Sequence, residues 1–193
     1  MKKYLIQSLR LTLVLMLLLC VLYPAAVAFA GRFSKGQGAG QKIISKGKTV
    51  GYAALGQHFD MPKYFWGRPS AVHYNAAGSA GSNKGPANTD YLKTVSDRVD
   101  TLLKHHPYLK KSDIPADLVT ASGSGLDPDI SEQAASIQIK RVAKARNMSE
   151  HELATLLVKH TQKPMLGLFG PSSVNVLKLN MDLDKIQSNP NNK

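Results

Sequence analysis

The stretch LTLVLMLLLCVLYPAAVAFA, residues Leu11–Ala30, decides how this chain is organised. It runs for twenty residues without a charge, between Arg10 and Arg32. A helix of this length extends about 30 Å, which matches the hydrocarbon thickness of a bilayer. No later segment has a comparable uncharged run, so the sequence predicts one membrane span followed by one domain outside the lipid.

A cleaved signal peptide is the alternative interpretation of this stretch. Lys2, Lys3 and Arg10 would form its basic region, and Ala28–Ala30 would form a small-x-small cleavage site. The apolar core is longer than the roughly 7–15 residues of a signal peptide, which favours a retained anchor. Both interpretations send the rest of the chain to the same side, outside the cytoplasm.

Charge and length together predict the orientation. A short basic tail resists crossing a membrane, whereas a long domain is translocated largely regardless of its charge. We therefore expect a cytoplasmic tail at 1–10, a transmembrane helix at 11–30 and an extracytoplasmic remainder. Within that remainder, the Gly- and Lys-rich residues 31–48 predict a flexible linker, residues 49–186 a single domain, and residues 187–193 a disordered tail.

The composition limits the chemistry of the exported part. All 13 acidic residues lie after residue 30, together with 22 Lys and Arg, so this part carries a net charge of about +9. Anionic headgroups or an acidic partner suit that charge. Nucleic acid is not expected, because the chain is anchored and its aromatic residues are few. The single cysteine, Cys20, lies in the span, so the domain has no disulfide and no thiolate site.

Periodicity and capping signals predict an α+β domain. Apolar residues at helical spacing predict a helix over 90–106, and the Ser149–Glu152 capping box predicts the start of another. Asp127 with Pro128 predicts the cap of a helix that runs to about Asn147. Two strands are expected, a modest one at Thr49–Phe59 and an alternating, half-buried one at Val174–Leu183 with a bulge near Val176–Leu177.

An aromatic cluster forms the first candidate site. The stretch YFWGRPSAVHYN, residues 64–75, holds four of the chain's aromatic residues around one arginine, and such residue types dominate interface hot spots. A packed loop whose arginine binds backbone carbonyls is an equally good interpretation. The candidate docking residues are Tyr64, Phe65, Trp66, Arg68, Tyr74 and Asn75.

An acidic loop forms the second candidate site. The stretch DLVTASGSGLDPDIS, residues 117–131, and the glutamate that follows it concentrate acidic residues in a basic domain. Cations could be attracted to this oxygen-rich place, although helix capping and turn formation account for Asp127 and one other of these residues. The residues concerned are Asp117, Asp127, Asp129 and Glu132.

The residues alone do not predict catalysis. Ser122 and Ser124 lie in an SGSG turn, but Ala121 breaks the G-x-S-x-G pattern of an activated serine. No metal-ligand spacing and no phosphate-binding loop is convincing. From residues alone, the chain is an anchored accessory or binding domain. Two rival classes are a stand-alone membrane-anchored binding protein for an acidic ligand and an exported hydrolase.

Several motifs together resemble the KdpC family. They are YFWGRPSA (64–71), GSNKGPAN (81–88), DLVTASGSGLDPDIS (117–131), RVAKAR (141–146) and VNVLKLN (174–180). KdpC is the small C subunit of the bacterial Kdp-type, ATP-driven potassium uptake complex. The likeness extends from the span to about residue 183, and the TASGSGLDP run is specific because it is long.

The resemblance implies an accessory subunit in the bacterial inner membrane. Its partners would be the bilayer, a channel-like potassium-selecting subunit and a P-type ATPase subunit, in a complex that uses ATP, Mg²⁺ and potassium. The family is described as a catalytic chaperone that raises the ATPase subunit's affinity for ATP, and is often labelled ATP-binding. With the domain outside the cell and no phosphate loop in it, we expect no catalytic residue, directly bound cofactor or metal in this chain.

Overall fold

The computed structural model describes residues 2–187 of the chain. It divides into two compact units, of which the first ends at Lys42 and the second begins at Ile43. The first unit contains one long helix, α1 (Lys2–Gly31). The second contains both helices and strands, which confirms the expected α+β class.

Helix α1 is apolar along most of its length, and within residues 2–187 it is the one helix long and apolar enough to cross a membrane. Its middle, Leu17–Leu22, has π-helical hydrogen bonds, and the N–H of Tyr23 donates to the carbonyl of Leu18. Pro24 follows directly. Because proline has no N–H and crowds the preceding turn, the wider π-helical turn accommodates its ring.

Short elements make up the rest of the chain. In order they are β1 (Lys42–Ser45), β2 (Lys48–Tyr52), α2 (Thr89–His105), β3 (Asp129–Ser131), α3 (Glu132–Ser136), α4 (Ile139–Arg146), α5 (Glu150–His160), β4 (Thr161–Gln162), β5 (Ser173–Asn175) and α6 (Val176–Gln187).

A hairpin replaces part of the predicted linker. Strands β1 and β2 form a two-stranded sheet, and both residues of the turn between them, Lys46 and Gly47, have positive φ, as a type I′ turn requires. The prediction of a flexible linker over 31–48 is therefore wrong for residues 42–48. The strand predicted at Thr49–Phe59 exists only as far as Tyr52.

Two helices begin where the sequence predicts them. The side chain of Asn88 accepts a hydrogen bond from the N–H of Tyr91 at the start of α2. At the start of α5, the N–H of Glu152 donates to Ser149 Oγ at 3.1 Å, and Glu152 Oε2 accepts from the N–H of Ser149 at 3.0 Å. The capping box and both helices are thus confirmed.

The helix predicted after Asp127 and Pro128 begins later in the chain, so that prediction of its start is wrong. Residues 129–131 instead form β3, because they pair with β5 in an antiparallel sheet of order β3-β5-β4. The cap is Ser131, whose Oγ accepts from the N–H of Ala134. The helical stretch then breaks between α3 and α4 and ends at Asn147, which has left-handed backbone angles.

The strand predicted at Val174–Leu183 is also wrong beyond Asn175. Residues from Val176 onward form α6, which runs to Gln187. Five of its side chains are buried, and their positions follow helical spacing, so the domain core selects the helix. They are Val176, Leu177, Leu179, Asn180 and Leu183. Gln187, the first residue of the predicted disordered tail, is helical, and residues 188–193 lie outside the described range.

One apolar core holds the second unit together. The buried faces of α2, α4, α5 and α6 meet on the small sheet, with β3 and β5 contributing Ile130 and Val174. Leu153 lies in this core and Met148 packs against it, so the two residues that flank the capping box of α5 are both held by the core. The core matters for function because it fixes the position of the irregular loop at residues 60–70.

Candidate partner-docking site

The loop at residues 60–70 is held by side chains rather than by a neighbouring strand. Asn180 of α6 accepts from the N–H of Phe65 at 2.8 Å and donates to its carbonyl at 2.9 Å. Gln138, just before α4, binds Trp66 in the same way, at 2.8 and 3.2 Å. Two buried side-chain amides therefore supply the hydrogen bonds that this extended backbone would otherwise form with a neighbouring strand.

Phe65 does not belong to the docking surface. Its side chain is fully buried in the core, so no partner could contact it. Its inclusion among the candidate docking residues is therefore wrong. The mistake has a simple cause, because the alternation of side chains along an extended stretch sends Phe65 inward while Tyr64 and Trp66 remain half-buried.

A buried arginine supports Trp66 from below. The Arg141 guanidinium lies 4.1 Å from the centre of the Trp66 ring and donates to the carbonyls of Pro62 and Tyr64 and to Gln138 Oε1. Burial lowers its pKa to about 10, so it remains charged at neutral pH. This cation–π contact fixes the plane of the indole ring.

The histidine next to this arginine is neutral. His106 Nδ1 lies 2.8 Å from the carbonyl of Leu102, which can only accept, so Nδ1 carries the proton and Nε2 accepts from Arg141 Nε at 2.8 Å. Burial, together with the nearby Arg141 charge, lowers the pKa of His106 to about 4. His106 therefore accepts a hydrogen bond without adding a second positive charge.

Tyr64 is held by a second buried arginine. The guanidinium of Arg146 lies 5.0 Å from the Tyr64 ring centre and donates to Asp184 Oδ1 at 2.7 Å and to the carbonyl of Lys63 at 2.6 Å. The Tyr64 hydroxyl donates to Asp184 Oδ2 at 3.0 Å. Burial and the Asp184 contact raise the pKa of Tyr64. The ring is thus fixed, with part of its surface accessible.

Arg68 and Tyr74 connect the aromatic cluster to the acidic loop. Arg68 Nη1 donates to Asp127 Oδ2 at 3.0 Å, and both side chains remain partly exposed, at 27% and 30%. The Tyr74 hydroxyl donates to the Arg68 carbonyl. Burial, together with the Asp127 charge, raises the pKa of Tyr74. The two candidate sites therefore meet at one ion pair, which the sequence did not predict.

These residues line an open groove of about 480 Å³. Trp66, Gly67 and Arg68 line it, together with Tyr74. Helix α2 contributes Thr101 and His105 to the lining. His58, His73 and Asp60 also line it, and Asp60 Oδ2 lies 3.9 Å from His58 Nε2. Sequence reasoning missed these histidines and Thr101, because nothing in their local pattern shows that α2 packs beside the loop.

The remaining docking candidate, Asn75, lies outside this lining. Its side chain is exposed, and its Oδ1 accepts from the N–H of Ala77, which is a local turn contact. Of the six docking candidates, the structure thus brings Trp66, Arg68 and Tyr74 to one groove and places Tyr64 beside its supporting arginine.

The four acidic residues do not converge on one point. Asp117 accepts from the N–H of Ser131 at 2.7 Å, Asp127 pairs with Arg68, and Asp129 accepts from Asn175 at 3.1 Å. Burial raises the pKa of Asp129. Glu132 is exposed in the first turn of α3. Within residues 2–187, no cluster of three or more His, Cys, Asp or Glu side chains could hold a metal ion.

The two serines of the SGSG turn have structural contacts. Ser122 is buried, and its N–H donates to the carbonyl of Pro69, while Ser124 Oγ accepts from the N–H of Leu126 at 3.0 Å. Among residues 2–187, no histidine forms a hydrogen bond with either hydroxyl. The turn thus packs the acidic loop against the loop at residues 60–70, which we call the docking loop.

A family comparison and curated relatives agree on the class of protein. Residues 5–185 match the family described as "K+-transporting ATPase, c chain". A Flavobacterium johnsoniae protein named "Potassium-transporting ATPase KdpC subunit" is 54% identical over 96% of this chain and 100% of its own length. Proteins of the same name from Bacteroides fragilis and Geobacter sulfurreducens are each 48% identical, over 96% and 91% of this chain and 99% and 95% of their own lengths.

These matches define a membrane-associated component of potassium-transporting ATPases, a class consistent with a candidate span followed by an α+β domain. The chain belongs to the KdpC family.

Proposed function

We propose that this chain is the accessory C subunit of an ATP-driven potassium uptake complex and stabilises that complex from outside the cell. The family match over residues 5–185 carries the proposal. In it, α1 crosses the bacterial inner membrane once, with the N-terminus in the cytoplasm. The domain from residue 43 onward contacts the outer face of a channel-like potassium-selecting subunit, and α1 lies in the bilayer with the P-type ATPase subunit in the same assembly.

The groove beside Trp66 supports a docking role. It presents an indole ring, a phenol ring and a partly exposed guanidinium, the residue types that dominate interface hot spots. Arg141 stacks on the indole and Gln138 binds the backbone of Trp66, so little conformational entropy is lost when a partner binds. We infer that a segment of the potassium-selecting subunit occupies this groove.

An effect on ATP affinity would act through the partner subunits. In the proposed orientation, the domain and cytoplasmic ATP are on opposite sides of the membrane. A remote effect requires two states of the complex that the domain contacts differently. We therefore propose that this chain binds neither ATP, Mg²⁺ nor potassium directly, and that it raises the ATP affinity of the complex by favouring one state of its partners.

The cation-attracting role is best supported for one residue of the acidic loop. Asp117, Asp127 and Asp129 each accept an internal hydrogen bond, and Asp127 is neutralised by Arg68. Glu132 is exposed. We expect Glu132→Gln to leave the fold intact, because the side chain is exposed. A higher apparent KM for potassium uptake in that variant would support the role. An unchanged KM would rule it out.

A matched pair of substitutions tests the groove as a docking site. Thr101 lines the groove on α2, and Thr94 lies two turns earlier outside it. Both are exposed, and each hydroxyl donates to the carbonyl four residues before it. We expect Thr101→Arg to fill the groove and reduce the potassium-selecting and ATPase subunits that copurify with a tagged chain by roughly tenfold, equivalent to about 1.4 kcal/mol.

Thr94→Arg adds the same side chain elsewhere and should copurify like the unaltered chain. Equal recovery with both variants would show that the groove is not the docking site. Recovery of the unaltered chain alone from detergent, without either large subunit, would contradict the proposed function and favour a stand-alone binding protein.

A further inference from the structure

An ordered apolar turn projects between β4 and β5, at residues 164–170. The N–H of Met165 donates to the carbonyl of Phe169 at 2.9 Å, and the N–H of Phe169 donates back at 3.0 Å. Between them, the N–H of Gly167 donates to the carbonyl of Pro164 at 3.0 Å. These hydrogen bonds close a three-residue loop with a defined shape. We term the whole turn, residues 164–170, the apolar tip.

The apolar tip exposes four large side chains in five residues. Met165, Leu166, Leu168 and Phe169 are 68%, 83%, 82% and 61% exposed. In the described part of the second unit, no other five-residue stretch exposes as many. Exposed apolar residues are ordinary when single, but a contiguous group marks a surface that something covers.

The backbone at Leu166 strengthens this conclusion. Its φ is +54°, and Gly167 follows with +73°. Turn positions with positive φ favour Gly, Asn or Asp, because a β-carbon is crowded there. A leucine at such a position is strained, and this one is largely exposed. Turn formation therefore does not explain the leucine, whereas contact with an apolar environment does.

The charges along the chain on both sides of the tip favour a lipid surface as that environment. The sequence has no Asp or Glu between Glu152 and Asp182, whereas Lys159 and Lys163 lie on the chain leading to the tip, and both are exposed. Apolar side chains at the end of a structure, with lysines behind them, match the apolar layer and the anionic headgroups of a bilayer. An acidic protein surface would pair with the lysines but would not cover the apolar side chains of the tip.

A covalent tether makes a weak contact of this kind effective. Ten residues, 32–41, separate α1 from β1, and α1 is a candidate span. A tethered domain meets the lipid surface at high effective concentration, so a few apolar side chains suffice for binding. We propose that the apolar tip inserts into the interfacial layer of an anionic bilayer, as a second membrane contact besides α1.

Depth-dependent quenching in nanodiscs tests this proposal. The full-length chain, with Cys20→Ala, carries a fluorophore on the cysteine of Leu168→Cys, or on that of Leu92→Cys as the control. Leu92 is an exposed apolar residue on α2, outside the tip. The nanodiscs contain phosphatidylglycerol and a lipid with a nitroxide on its acyl chain. We expect roughly twofold stronger quenching at position 168 than at position 92.

A second variant excludes an effect of the label itself. With the label at Met165, the double change Leu166→Asn and Leu168→Ser removes the apolar side chains, and asparagine suits the positive φ, so the turn still forms. Quenching at position 165 should then fall to the level of position 92. Equal quenching at 168 and 92 would overturn the proposal. So would a photocrosslinker at Leu168 that attaches to a partner subunit of the purified complex instead of to lipid. Nanodiscs expose both faces, so neither result depends on the orientation proposed above.

Discussion

Single buried side chains determine the position of the docking loop. Asn180, Gln138 and Arg141 supply the hydrogen bonds that a neighbouring strand would otherwise give to residues 62–66. All three are nearly inaccessible to solvent. A polar side chain buried in this way is costly to remove, because its partners lose their hydrogen bonds as well.

Replacing Asn180 tests this support. Asn180→Ala leaves the N–H and carbonyl of Phe65 buried without partners, which should lower the free energy of unfolding by about 2–4 kcal/mol. Urea unfolding of the detergent-solubilised chain, followed by Trp66 fluorescence, measures the change. Asn75→Ala is the control, since that side chain is exposed and should have little effect. A loss as small as the control's would show that Asn180 does not hold the loop.

The neutral state of His106 predicts a pH-dependent stability. Its pKa in the folded chain is about 4, below the ordinary value of 6.5. As pH falls through 6.5, the unfolded chain gains a proton that the folded chain excludes, so stability is complete above that pH and decreases between 6.5 and 4. Between about pH 7.5 and 5, this group should cost roughly 2 kcal/mol of unfolding free energy.

Comparing variants isolates this contribution from other groups that titrate in the same range. His106→Gln should be less stable at neutral pH but should lose less stability on acidification than the unaltered chain. His151→Gln, at an exposed position on α5, should leave the acid dependence unchanged. An identical acid dependence for His106→Gln and the unaltered chain would contradict the neutral, buried histidine.

At the scale of elements, interactions between residues close in sequence could be predicted, whereas the pairing of distant segments could not. The capping box at Ser149 involves residues three apart, so the sequence contains the whole interaction. The strand β3 depends on β5, more than forty residues away, and that pairing moved the helix start from Asp127 to Ser131. No local pattern around Asp127 carries this information.

The C-terminal helix shows how a short pattern can fit two periods. Leu177, Leu179, Met181 and Leu183 alternate with polar residues, which predicts a strand. The same residues lie on α6, where Met181 is only half-buried and Asn180 is buried. A helix buries Asn180, which is unfavourable unless its amide forms hydrogen bonds. The sequence could not show that the backbone of Phe65 would provide them, so it favoured the strand.

The cap of α5 gives a prediction at this scale. Ser149→Ala removes the acceptor for the N–H of Glu152 and should lower the free energy of unfolding by about 1 kcal/mol. Thr155→Ala, an exposed position in the middle of the same helix, should change it by less than half as much. Urea unfolding of both variants checks this. Equal effects would mean that the cap does not stabilise the helix beyond ordinary side-chain substitution.

At the scale of the whole molecule, the sequence predicts the candidate span and the family better than it predicts the site. The candidate span follows from one uncharged run, and the KdpC resemblance follows from several motifs. The groove depends on α2 packing beside a loop some forty residues earlier in the chain, so its histidines and Thr101 carry no local signal. The ion pair between Arg68 and Asp127, which joins two motifs into one surface, likewise exists only in the folded domain.

The central claim is that the domain lies outside the cell, where it can act only by contact. Two single-cysteine variants, both with Cys20→Ala, test it directly. Ser96→Cys is at an exposed position of α2, and Ser8→Cys is in the basic N-terminal part of α1, which the account places in the cytoplasm. A membrane-impermeant thiol reagent is applied to sealed spheroplasts. The account predicts labelling of Ser96→Cys in intact spheroplasts and of Ser8→Cys only after permeabilisation, whereas the reverse pattern would contradict it.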